Sequence, residues 1–155
     1  MEKPTFVYAT YIRTTPEKLW EALTQGEFSE QYWFGYRIEV EPRKGGRIRI
    51  LAPAGETTCG DLTGEVLAWE PGRKLAYTWS TKDDPAVAAK RRGPSRVTFE
   101  LTPVGPQVRL RVIHEDLLPE DLEADPNAFR GVNNGWTAVI SSLKSLLETG
   151  EAIRF

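Results

Sequence analysis

The sequence has 155 residues, the usual length of one domain, and 40% of them are hydrophobic, which is enough for a sizeable core. Its formal charge of −2 gives no basic surface of the kind that nucleic acid requires, and no apolar run approaches the roughly 18 residues of a membrane span. One cysteine and one histidine exclude an internal disulfide and a Cys/His zinc site within one chain, so we expect residues 1–155 to form a single metal-free, cytoplasmic domain.

The first 35 residues predict a strand and two short helices. Residues 6–13 are rich in β-branched and aromatic side chains, which favours a strand. Thr15 followed by Pro16 is typical of a helix N-terminus, and we expect Gly26 to end this helix. Residues 27–35 predict a second short helix or turn.

Six strands in three hairpins follow. They are residues 36–41 with 47–50, 61–69 with 74–80, and 96–101 with 108–114. Each pair is separated by a turn that contains glycine. The alternation in these strands places one set of side chains toward a core: Ile38, Val40, Ile48, Ile50, Leu75, Tyr77, Trp79, Val108, Leu110, Val112 and His114.

Three polar segments connect these elements. Residues 52–60 form a loop that contains Cys59, which we expect to be an ordinary, unactivated thiol. Residues 81–94 predict a long mobile loop whose basic triplet, residues 90–92, lies at a solvated tip rather than in a phosphate site. Residues 118–124 predict an acidic linker into the last element.

The residues after Asp125 predict one long amphipathic helix that ends near Gly150. Its apolar residues recur at three- and four-residue steps and share one face: Phe129, Val132, Trp136, Val139, Ile140, Leu143, Leu146 and Leu147. Asp125 is typical of an N-cap, Pro126 suits the first helical position, and Gly150 suits a left-handed C-terminal residue. The predicted helix is roughly 35 Å long. Gly131 and Gly135 share one face of it, where we expect a strand or a ligand to approach the backbone.

The order of the predicted elements indicates an α+β fold. Consecutive hairpins make a largely antiparallel sheet, and a sheet with one apolar face needs a cover on that face. The last helix is the only predicted element long enough to provide it. We therefore predict a curved antiparallel sheet wrapped around the C-terminal helix, with two short helices after the first strand.

Several short motifs in this order are together typical of one known family. They are Gly45-Gly46-Arg47, Gly64-Glu65-Val66, residues 69–79, residues 95–101, His114, Gly135-Trp136, Leu143-Lys144 and residues 146–148. Over nearly the whole chain, from Phe6 to Gly150, the sequence resembles the activator-of-heat-shock-protein-90-ATPase-like branch of the START-like (SRPBCC) superfamily.

The resemblance implies a helix-grip fold, the START/Bet v-like arrangement, with a cavity between the sheet and the long helix. Across the superfamily this cavity holds lipids, sterols, polyketides and other apolar small molecules. The co-chaperones that give the branch its name carry an additional N-terminal domain, for which 155 residues leave no room. We therefore expect an apolar small molecule as the first partner and a chaperone ATPase as an alternative one.

An apolar ligand site needs aromatic walls and a few convergent polar groups. The candidate ligand-binding residues on the predicted elements are Trp33, Tyr77, Trp79, Phe99, His114, Val132 and Trp136. The alternative is that these side chains are core residues packed on one another. For His114 the alternative is a histidine that is hydrogen-bonded to backbone at a strand end.

His114 is also the one weak candidate for catalysis, because an imidazole with its usual pKa can act as a general base. No Gly-x-Ser-x-Gly turn accompanies it, and no phosphate loop or dinucleotide fingerprint is present, so we expect no cofactor. Three hypotheses follow, and the first is favoured: a non-enzymatic protein that binds an apolar small molecule. The others are a chaperone-interaction module that uses the outer face of the sheet, and a cyclase, dehydratase or hydrolase with His114 as base. The sequence predicts no oligomeric state.

Overall fold

The computed structural model describes residues 3–55, 61–80, 85–91 and 93–155. Its strands are β1 (Phe6–Ile12), β2 (Arg37–Val40), β3 (Arg47–Leu51), β4 (Leu62–Glu70), β5 (Lys74–Trp79), β6 (Ser95–Val104) and β7 (Gln107–Glu115). Its helices are α1 (Pro16–Thr24), α2 (Gly26–Tyr32), α3 (Pro85–Lys90) and α4 (Val132–Thr149), with a 3-10 turn at Pro119–Asp121. None of these helices combines the length and the apolar character that crossing a bilayer demands.

The seven described strands form one antiparallel sheet in the order β1-β7-β6-β5-β4-β3-β2. Every consecutive pair from β2 to β7 is therefore adjacent in the sheet, and the three predicted hairpins are confirmed. β1 pairs along its whole length with β7, from Phe6 opposite His114 to Ile12 opposite Val108. One face of the curved sheet buries its apolar rows against α4, so the predicted helix-grip architecture is also confirmed.

α1 and α2 pack at one end of the sheet. Thr15 caps α1 as predicted, since its hydroxyl accepts a hydrogen bond from the backbone N–H of Lys18 at 3.2 Å. Gly26 does not end α1 but begins α2, where a Cβ atom would lie only 2.7 Å from the carbonyl oxygen of Ile38. The hydroxyl of Ser29 in α2 accepts a hydrogen bond from the N–H of Ile38 at 2.9 Å. These contacts fix α2 on β2.

α4 begins later than the sequence predicts. Asp125 does not cap it, because its carboxylate accepts a hydrogen bond from the N–H of Asn127 and forms a local turn instead. The N-cap is Gly131, whose φ of 80° is strained for any other residue. The 18 residues of α4 span about 27 Å rather than 35 Å. Its end is confirmed, since Gly150 is left-handed with φ of 86°.

Two details of the predicted helix face are wrong. Phe129 precedes α4 and is 65% exposed, so it takes no part in the buried stripe. A Cβ atom at Gly135 would meet no described neighbour, whereas one at Gly131 would lie 2.7 Å from Glu123. The close approach that we expected at both glycines occurs only at the first.

The described part of the 81–94 segment contains α3 and is attached to the protein by an ion pair. Arg91 donates two hydrogen bonds to Asp121, at 2.9 and 2.8 Å, and both side chains are largely buried. The solvated-tip prediction is therefore wrong for Arg91, because the acidic linker provides its partner. Residues 81–84, Arg92 and Cys59 lie outside the described residues.

Candidate functional site

Six of the seven predicted site residues form one aromatic cluster between the sheet and α4. β5 provides Tyr77 and Trp79, β6 provides Phe99, β7 provides His114, α4 provides Trp136, and the residue after α2 is Trp33. The ring centroids of Trp79 and Trp136 are 5.4 Å apart, and those of Trp33 and Trp79 are 6.1 Å apart in a stacked arrangement. The seventh residue, Val132, lies in the first turn of α4, where it is half-buried and packs against the same core.

A chain of hydrogen bonds crosses this cluster from α4 to three strands. The indole N–H of Trp136 donates to Nδ1 of His114 at 3.0 Å. Nδ1 is therefore an acceptor, so the proton of the neutral imidazole lies on Nε2 and is donated to Oγ of Ser95 at 2.8 Å. The hydroxyl of Ser95 in turn donates to the carbonyl oxygen of Trp79 at 3.2 Å. Each side-chain donor in this series of three hydrogen bonds has an acceptor.

His114 is fully buried, and this burial controls its charge. Burial lowers its pKa from the usual 6.5 to about 4, against the opposing effect of the Asp121 carboxylate. The ring is therefore neutral at neutral pH, and its lone pair is used by the indole of Trp136. A general base needs a free lone pair near the substrate, so this geometry suits a structural acceptor better than a catalytic base.

Ser95 was missed by reasoning from the sequence. It lies at the start of β6, directly opposite Trp79 in the register and in phase with the buried Val97 and Phe99. Its inward-facing position in β6 could have been predicted from the alternation of the strand, and a small polar residue on an inward-facing row needs a polar partner. The unique histidine was the natural partner to consider.

Tyr77 differs from the other polar groups of the cluster. Its ring is only 1% exposed, and its hydroxyl has no hydrogen-bond partner among the described residues. Burial raises its pKa well above the usual value, with the nearby Tyr32 acting in the same direction. A buried hydroxyl without a partner costs about 1–3 kcal/mol, so its presence needs an explanation.

Tyr77 also lines a narrow unfilled space beside β3, β4 and β5. The residues around this space are mostly apolar or contribute methyl groups: Ile48, Ile50, Leu62, Thr63, Tyr77, Thr78 and Trp79. The space is too narrow to admit a water molecule. Trp79 is the half-buried tryptophan of this lining, and its other neighbour is the ring of Trp33, which stacks on it.

The chain resembles known proteins both in sequence and in structure. The family model described as "Activator of Hsp90 ATPase homolog 1-like protein" matches residues 13–148. No curated protein matches the sequence. The crystal structure of protein MLL2253 from Mesorhizobium loti is 35% identical, covers 93% of this chain and 96% of its own, and superposes with a TM-score of 0.72.

Two more distant structures share the fold. The Aha1 dimer from Colwellia psychrerythraea is 21% identical, with coverage of 96% of this chain and 99% of its own and a TM-score of 0.72. PFC0360w, described as an HSP90 activator from Plasmodium falciparum, is 23% identical, with coverage of 86% and 87% and a TM-score of 0.62. At these identities the likeness concerns the fold.

Proposed function

The chain belongs to the Activator of Hsp90 ATPase homolog 1-like family, and we propose that it binds an apolar small molecule that carries a hydrogen-bond acceptor. The observation that supports this most is Tyr77, whose buried hydroxyl has no partner among the described residues and whose side chain lines a largely apolar space. Natural cores pair nearly all such groups, so an exception needs an explanation, and a ligand that supplies the partner is one. A carbonyl oxygen on an apolar frame would satisfy the hydroxyl and fill the space.

The dimensions of the space limit the ligand. Because the space does not admit even a water molecule as it stands, the ligand must displace a neighbouring ring. Trp79 is the half-buried ring of this lining, so we expect Trp79 to move, together with Trp33 stacked on it.

A matched pair of probes tests the proposal. Acetophenone has a ketone oxygen on an apolar ring, and α-methylstyrene has nearly the same shape with a CH₂ group in place of that oxygen. We expect the affinity for acetophenone relative to α-methylstyrene to be about fivefold higher in the wild-type protein than in a variant without the Tyr77 hydroxyl, as one hydrogen bond of about 1 kcal/mol implies. Calorimetric titration of both probes measures the ratio of their dissociation constants.

The control is the same pair of titrations with Tyr77→Phe, which removes only the hydroxyl. In this variant the affinity for acetophenone relative to α-methylstyrene should fall about fivefold, because the ketone has lost its donor. A ratio of the two dissociation constants that is the same in both proteins would place the ligand elsewhere and overturn the proposal. Binding of neither probe by the wild type would overturn it as well.

A second candidate function is interaction with an Hsp90-type chaperone. The family description favours it, as does the description of the Plasmodium falciparum relative as an HSP90 activator. The described outer face of the sheet carries paired charges, including Arg111 with Glu100 and Arg96 with Glu115. Stimulation of the ATPase turnover of a purified Hsp90 would support this candidate. Stimulation that Tyr77→Phe leaves unchanged would separate it from ligand binding.

A further inference from the structure

Three phenylalanine rings from three separate segments meet on the surface. Phe34 follows α2, Phe129 precedes α4, and Phe155 lies in the segment after α4. The ring of Phe155 contacts both others edge-on, with centroids 5.5 Å from Phe34 and 5.1 Å from Phe129. The three residues are 43%, 65% and 63% exposed. Their packing therefore adds little to the core, and it joins segments that are far apart in sequence.

The segment that carries Phe155 is positioned by side chains of α4. The hydroxyl of Ser145 donates to the carbonyl oxygen of Glu151 at 2.7 Å, and that of Ser142 donates to the carbonyl oxygen of Ile153 at 3.3 Å. Residues 151–155 consequently run back along α4 toward its first turn. This course brings Phe155 to Phe129 and Phe34.

Phe34 has an unusual backbone conformation at this contact. Its φ is 51°, in the left-handed region that bulky side chains rarely adopt. Such a conformation persists only where the surroundings hold it. Phe34 is joined by one peptide bond to Trp33, whose ring stacks on Trp79 beside the space at Tyr77. A change in the backbone at Phe34 therefore displaces Trp33, the ring that holds Trp79 in place at this space.

We propose that these three residues form a phenylalanine latch that controls access to the space at Tyr77. While the rings of Phe34, Phe129 and Phe155 are in contact, Trp33 stays stacked on Trp79 and the space is closed. Separation of the rings lets Phe34 relax and Trp33 swing away, which opens a route for a ligand. The latch has two parts. Its mechanical part is the coupling of the three phenylalanine rings to the backbone at Phe34, which does not depend on the proposed function. Its purpose, the control of ligand access, rests on the proposed function.

Amide hydrogen exchange tests the mechanical part without any ligand. The N–H of Gly35 bonds to the carbonyl oxygen of Glu30, and that of Tyr36 bonds to the carbonyl oxygen of Trp33. Phe155→Ala should speed the exchange of these two amides at least about threefold and leave those of β6 and β7 unchanged. The control is Val104→Ala, which truncates another exposed apolar residue, 42% exposed, at the end of β6.

Stopped-flow binding of acetophenone tests the purpose. The latch stabilises the closed, ligand-free protein, so its loss in Phe155→Ala should raise the association rate, lower the dissociation constant by the same factor and leave the dissociation rate nearly unchanged. Tyr77→Phe should instead raise the dissociation constant through a faster dissociation rate. Unchanged amide exchange in Phe155→Ala overturns the latch, and faster exchange with unchanged binding rates overturns its control of access. Failure of the wild type to bind acetophenone contradicts the proposed function, and amide exchange alone then decides whether the latch exists.

Discussion

The polar atoms at the two ends of the aromatic cluster differ in their hydrogen bonding. At the β7 end, His114 has a partner on each ring nitrogen, and the hydrogen bonds run without a gap from Trp136 to the backbone of β5. At the β3–β5 end, the Tyr77 hydroxyl has no described partner and the Tyr77 side chain lines an unfilled space. We call the β7 end the paired end and the β3–β5 end the unpaired end. Both ends are buried and aromatic, so burial alone does not distinguish them. The pairing of their polar atoms does, and the proposed binding site lies at the unpaired end.

The largest loss of stability should follow removal of Trp136, which joins α4 to the paired end. Trp136→Ala leaves a large cavity and deprives Nδ1 of His114 of its donor. We expect a loss of about 3–5 kcal/mol in the free energy of unfolding, measured by urea denaturation. The control is Phe129→Ala, which truncates an exposed ring shortly before α4 and should lower the free energy of unfolding far less. A loss below 1 kcal/mol for Trp136→Ala would show that the paired end does not hold α4 on the sheet.

The second largest effect should be a loss of stability at low pH, through protonation of His114 at the paired end. The pKa of His114 is about 4 in the folded protein and near 6.5 when unfolded, so the unfolded chain binds more protons between these values. Its contribution to stability is therefore complete above pH 6.5 and is lost as the pH falls toward 4. The loss from this residue should reach about 2 kcal/mol by about pH 5, before most carboxylates are protonated.

Unfolding free energies measured between pH 7 and pH 5 check this expectation. The control is His114→Gln, which retains an acceptor and a donor but does not titrate. Its stability should be nearly constant over the same range. An equal decline in both proteins would assign the pH dependence to other groups.

The smallest effect concerns stability at the unpaired end. Tyr77→Phe removes a buried hydroxyl that bonds to nothing described, so the free energy of unfolding should stay constant or rise by up to about 1 kcal/mol. The matched variant is Tyr32→Phe, because that hydroxyl is equally buried but donates to the carbonyl oxygen of Ala22 at 2.8 Å. The free energy of unfolding of Tyr32→Phe should be about 1 kcal/mol lower than that of the wild type. Equal losses in both variants would mean that Tyr77 has a partner in solution, and the contrast between the two ends would fail.

The sequence predicted the fold and the membership of the cluster because both follow from periodicity. The alternation in β5 and β7 brings Tyr77, Trp79 and His114 to the inner face, and the helical spacing brings Trp136 to meet them. The start of α4 was mispredicted because Asp125 followed by Pro126 is compatible both with a helix cap and with a local turn, and tertiary contacts of Gly131 with Glu123 decided for the turn.

What periodicity cannot predict is which buried groups find partners. The bond between Trp136 and His114 depends on the rotamers of two residues 22 positions apart, and the pair formed by Arg91 and Asp121 depends on the rotamers of residues 30 positions apart. The isolation of the Tyr77 hydroxyl is a property of all its neighbours together. The sequence therefore identified the aromatic residues of the cluster and left open which of their polar groups have hydrogen-bond partners.

The most direct test of this account is NMR of the protein with ¹³C at the Cζ atom of its tyrosines, titrated with acetophenone. The Cζ shift reports the hydrogen bonding of each hydroxyl, and Tyr77→Phe assigns the resonance in question. The account predicts that the Tyr77 resonance moves on saturation, while the resonance of the already paired Tyr32 stays in place. A stationary Tyr77 resonance in the presence of bound acetophenone would contradict the claim that this unpaired hydroxyl is the ligand's donor.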